Sequence, residues 1–121
     1  MMSEKEFYEK IGGDYEEALS RLMRDSLIRK FVLKFPDDQN FAALKEALGE
    51  GRWDDAFSYA HTLKGVSLNL AFTRLTAELV TLNDLLRAQN REKLDAQTVR
   101  ESFEAVGKEY AAVLEAISLL T

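Results

Sequence analysis

The sequence predicts an all-α protein, an up-down-up-down antiparallel four-helix bundle with additional helical segments at its amino-terminal end. Three observations predict it. The chain of 121 residues is rich in helix-favouring side chains and holds one proline and six glycines. With 46% hydrophobic and 31% charged residues, it can bury a core and leaves no extended disordered tract. Apolar residues recur at spacings of three and four, and short connections join the resulting stripes, which favours antiparallel neighbours. No repeat, low-complexity segment or flexible linker divides the chain. One domain over residues 1–121 is expected, with helical segments over 3–35 and the bundle over about 37–120.

The elements follow in order. Tyr8, Ile11, Tyr15, Ala18, Leu19 and Leu22 form the first apolar set, interrupted by Gly12-Gly13. Asp14, with Glu17 three residues on, reads as a capping box that starts a helix near Tyr15. Leu27, Ile28, Phe31, Val32 and Phe35 mark the next helix, which Pro36 stops, and Asp37 is placed to cap its successor. The bundle helices are expected at about 37–49, 52–70, 73–89 and 95–120. Phe41, Leu44 and Leu48 line the first, which ends at Gly49. Trp53, Ala56, Phe57, Ala60, Leu63, Ser67 and Leu70 line the second. A break near 71–73 precedes Leu75, Leu79, Leu82 and Leu86, and polar residues 89–93 read as the following connection. Val99, Phe103, Val106, Tyr110, Val113, Ile117 and Leu120 line the last.

Bulk charge narrows the function classes. A formal net charge of -5 gives no electrostatic attraction for nucleic acid or an anionic membrane, so protein partners are expected. The chain has no cysteine and one histidine, which removes thiol chemistry and the familiar catalytic zinc sites. No cofactor or metal is expected. No export segment and no run of about 18 apolar residues is encoded. A cytoplasmic location and a monomer are the corresponding expectations.

The single histidine, His61, falls on the second bundle helix. At roughly 100° per residue it lies about 120° from the centre of the apolar stripe, which directs its imidazole to solvent. Phe57 sits one turn before it, Lys64 and Gly65 one turn after, and Leu68 two turns after. An imidazole, with a reference pKa of about 6.5, offers a neutral nucleophilic nitrogen near physiological pH. A phosphoryl group on such a ring adds negative charge, which Lys64 is placed to offset. Gly65 costs the helix about 1 kcal/mol relative to alanine, and its missing side chain leaves room for another protein beside the histidine. Phe57 and Leu68 are the candidate docking side chains. The plain alternative, an accidental surface histidine beside a lysine and a glycine, stays open on this triplet alone.

Residues 60–70 resemble the motif of the histidine-containing phosphotransfer (HPt) domain family of two-component phosphorelays. That motif runs approximately Ala-His-x-Leu-Lys-Gly-x-Ser/Ala-x-Asn-Leu-Gly. Ala60, His61, Leu63, Lys64, Gly65, Ser67, Asn69 and Leu70 match it. Upstream, Gly13-Asp14, Ala18-Leu19-Ser20-Arg21 and the Phe31 to Phe35 stretch are similar to family features. The resemblance implies that His61 takes the phosphoryl group on Nε2 and exchanges it with a receiver-domain aspartate. Lys64 would aid charge balance and Gly65 access. The implied partners are a response-regulator receiver domain and a sensor histidine kinase or hybrid kinase. One departure stands out: Ala71-Phe72 replaces the family's glycine and following small residue, and Phe72 is expected to influence partner choice as a third docking residue.

Two further functions are weighed against the relay. An HPt-like adaptor would bind a receiver or another regulator without accepting phosphate, although the intact His61, Lys64 and Gly65 speak against it. An independent enzyme fares worse, because no Gly-rich phosphate loop lies between a strand and a helix. A phosphotransfer carrier without its own ATP-binding machinery is the expected class.

Overall fold

The computed structural model describes residues 2–120, and every regular element among them is helical. The α-helices are α1 (Glu4–Ile11), α2 (Tyr15–Leu22), α3 (Asp25–Lys34), α4 (Asn40–Gly49), α5 (Trp53–Asn69), α6 (Thr73–Leu85) and α7 (Ala96–Ser118). Short 3-10 segments, Phe35–Asp37 and Ala88–Lys93, follow α3 and α6.

Local chemistry sets the boundaries. Ser3 and Glu6 form a reciprocal capping box on α1, satisfying two donors that the first turn cannot satisfy itself. The Asp14 side chain accepts from the Glu17 amide at 3.0 Å, half of the box expected there, while the Glu17 carboxylate pairs with Arg21. Asp37 is not the cap of the next helix. The 3-10 turn imposed around Pro36 absorbs it, and Asp38 accepts from the Asn40 amide at 2.8 Å instead. Asp95 caps α7 through the Thr98 amide at 3.0 Å. The third bundle helix stops at Leu85, and residues 89–93 wind as 3-10 turns rather than an open connection.

Consecutive long helices pack on one another: α4 on α5, α5 on α6, α6 on α7. Phe41 of α4 stacks on Phe103 and Tyr110 of α7, at centroid distances of 5.3 and 4.0 Å. The stripes read from the sequence supply the core, including Leu44, Leu63, Leu75, Leu79, Leu82, Val106 and Val113. That core continues into Phe7, Tyr8, Ala18, Ile28 and Val32, so the amino-terminal helices share it.

The α5–α6 break corrects one expectation. Ala71 adopts a left-handed φ of 58°. The amides of Ala71 and Phe72 donate back to Leu68 and Ser67 at 3.0 Å each, the two bonds of a Schellman cap. The family's glycine suits that conformation, and here alanine occupies it at a steric cost of about 1–2 kcal/mol. Phe72 is fully buried. Its ring lies 5.2–5.9 Å from those of Phe35, Phe7 and Tyr8. A ring with no exposed surface cannot contact a partner, so Phe72 is a core residue and not a docking residue.

Candidate functional site

Helix α5 presents the site from its middle turns. Ala56, Ala60, Leu63 and Ser67 face the core at or near zero exposure, and this fixes the rotation of the helix. His61, on the other side, stands exposed. The Phe57 ring lies near-parallel to the imidazole, with centroids 6.2 Å apart and planes at 15°. On Phe57, in turn, rests the Arg87 guanidinium, 5.7 Å from the ring centre, a cation–π contact that steadies both. Arg87 is also held by Asp84 at 3.0 Å.

One turn beyond the histidine, a Cβ placed on Gly65 would meet nothing within 4 Å. The surface there is open. Leu68 is 49% exposed on the following turn, so Phe57, His61, Gly65 and Leu68 form one accessible strip along α5. Lys64 lies partly buried beside it, with Nζ donating to the Asn83 side-chain carbonyl at 3.4 Å. Asn83 is fully buried on α6 and its amide nitrogen donates to the Phe57 carbonyl at 3.2 Å.

Sequence reasoning missed Asn83 and Arg87. For Asn83 a signal existed: it falls four residues after Leu79 and eight after Leu75, in phase with the apolar stripe of α6. An amide at such a position needs hydrogen-bond partners. Arg87, beyond the end of α6, had no periodic signature.

The carboxyl end of α5 is held from outside the helix. The Tyr8 hydroxyl donates to the Leu70 carbonyl at 2.7 Å, and burial holds the phenol pKa well above its ordinary value. The Arg21 guanidinium donates to the Leu68 carbonyl. The Asp14 amide donates to Ala71 at 2.9 Å. Ser67 and Thr76 share a 2.8 Å hydroxyl contact that ties α5 to α6. Asp14 and Arg21 thus secure the helix that carries His61, and Gly13 permits the close approach to Ala71.

A groove of about 680 Å³, walled by Leu22, Phe31, Phe35, Val66 and Leu70, opens between α2, α3 and the end of α5, and His61 does not line it. Among the described residues no cluster of three His, Cys, Asp or Glu side chains could hold a metal ion, and no helix is long and apolar enough to cross a membrane.

A family model for the Hpt domain matches residues 27–118. The chain belongs to the Hpt family. Hpt domains act in histidine phosphotransfer in phosphorelays, as carriers rather than kinases, and interact there with receiver and kinase domains. No curated protein and no solved structure matches the chain.

Proposed function

We propose that this Hpt chain is a phosphorelay intermediate whose acceptor is His61. The neutral imidazole Nε2 attacks an aspartyl phosphate of a receiver domain, the N–P bond forms as the O–P bond breaks, and the carboxylate leaves. The reverse step returns the group to a receiver aspartate. Lys64 offsets the added negative charge. The open surface at Gly65 admits the partner, and Phe57 and Leu68 supply apolar contact around the reacting ring. The observation that carries the reading is the exposed His61 on a helix whose opposite face packs into the core, with Lys64 and an unobstructed Gly65 one turn away.

The same reading takes the whole chain as one unit. Helices α4–α7 form an up-down-up-down bundle, supported by their short connections, by the packing of each helix on the next, and by the Phe41 stack that joins first to last. It is a cytoplasmic monomer, since a contact that forms and releases repeatedly suits a modest patch.

The test is incubation with a phosphorylated receiver, or with kinase and ATP. An acid-labile phosphate should appear on the parent and be lost in His61→Gln, with the melting temperature essentially retained. Receiver binding without any phosphate transfer would replace the relay by the adaptor.

A further inference from the structure

We infer that Asn83 is a positioning residue for phosphoryl transfer, holding the Lys64 ammonium in register with His61 through its buried side-chain amide. The inference rests on the relay reading of His61. Asn83 and Ser67 are the fully buried polar residues of the described core. Ser67 is accounted for by its contacts at the α5–α6 break. Asn83 sits among leucines on α6, where leucine itself would fill the space without desolvating an amide.

Its two bonds explain the choice. The amide nitrogen donates to the Phe57 carbonyl at 3.2 Å, and the amide oxygen accepts from Lys64 Nζ at 3.4 Å. An ammonium can only donate and a peptide carbonyl can only accept, so the chemistry fixes the amide's orientation. Aspartate would lack the donor, and leucine both functions. Phe57 is four residues before His61, and within α5 its carbonyl serves the His61 amide. One side chain therefore ties the backbone beneath the histidine to the cation one turn beyond it.

Lysine carries its charge on a flexible four-carbon stem. A single long contact restrains that stem while leaving other N–H donors for a phosphoryl oxygen. Asn83 acts through Lys64 and need not touch the reacting atoms.

A double-mutant cycle tests this, with rapid-mixing measurement of transfer from a phosphorylated receiver for the parent, Asn83→Leu, Lys64→Gln and the pair. Asn83→Leu should slow transfer by about 3- to 10-fold, the range allowed by the net worth of one hydrogen bond. In the Lys64→Gln background it should cause no further loss. Equal slowing in both backgrounds, or none in the parent, overturns the inference. Side-chain 15N relaxation of Lys64 Nζ supplies a second reading: Asn83→Leu, or Asn83→Ala should the leucine variant not fold, must increase its mobility, and unchanged mobility is refuting. If the parent itself takes no phosphate on His61, the relay reading fails and takes this one with it. Phosphate on His61 without Asn83–Lys64 coupling sinks this one alone.

Discussion

Replacing Gly65 separates stability from function. A glycine inside a helix is less favourable than alanine by about 1 kcal/mol, because its backbone loses more freedom on folding. At Gly65 a Cβ meets no atom within 4 Å, and the residue has an ordinary helical φ, so Gly65→Ala incurs no steric penalty against that gain. The folded-to-unfolded ratio should rise roughly fivefold, and the melting temperature by about 3–6 °C for a chain of this size. Calorimetry or far-UV melting reads the shift. Gly65→Gln, also a better helix former, should likewise fold well, yet its side chain would occupy the open ground beside His61. Transfer from a phosphorylated receiver should slow modestly in the alanine variant and far more in the glutamine variant. An alanine variant that melts at or below the parent would refute the claim of open space. A glutamine variant that transfers at the parental rate would refute the claim that a partner uses it.

Gly13 gives the opposite result, since a Cβ there would lie 2.9 Å from the Ala71 carbonyl and 2.8 Å from the Tyr8 ring. Gly13→Ala should cost roughly 1–3 kcal/mol in urea unfolding, and a neutral outcome would contradict the close approach. Phe72→Ala should lose about 3–5 kcal/mol by emptying the aromatic cluster. A variant of parental stability but altered partner preference would restore Phe72 to the docking surface. The alkaline limb of stability tests Tyr8 and Tyr110, whose phenols burial raises above the usual value, with Asp38 adding to the effect at Tyr110. Such groups stabilise the fold fully below the unfolded-state pKa of about 10, and the contribution falls as pH climbs through and beyond it. Tyr8→Phe should therefore show a shallower loss above pH of about 10 than the parent, and identical slopes would show that Tyr8 is not the group responsible.

The apolar stripes of α4 to α7 were legible because each repeats over several turns, and the exposure of His61 followed from its angle to one of them. Single-residue features were harder. Asp37 and Asp38 are equivalent as capping side chains in sequence, and only the 3-10 turn around Pro36 decides between them. The departure of Phe72 from the family motif suggests a surface role that its packing contradicts. Its spacing of three and seven from Leu75 and Leu79 already placed it on the core stripe, and as the residue that closes a Schellman cap it turns inward. The burial of Asn83 is legible from its phase with Leu75 and Leu79, but its partners are not, because Lys64 and Phe57 lie on another helix and hydrogen bonds between helices leave no periodic trace. Before α2 the paired glycines are the conspicuous signal, and the Ser3–Glu6 capping box is the one that starts a helix there.

The donors that finish α5, Tyr8, Asp14 and Arg21, all precede residue 27, where the family match begins. A fragment trimmed to the matched span would leave the Leu68, Leu70 and Ala71 carbonyls without these protein donors and strip Phe72 of two aromatic neighbours, Phe7 and Tyr8. A piece meant for fusion or transplantation therefore needs α1 and α2 as well as the matched span.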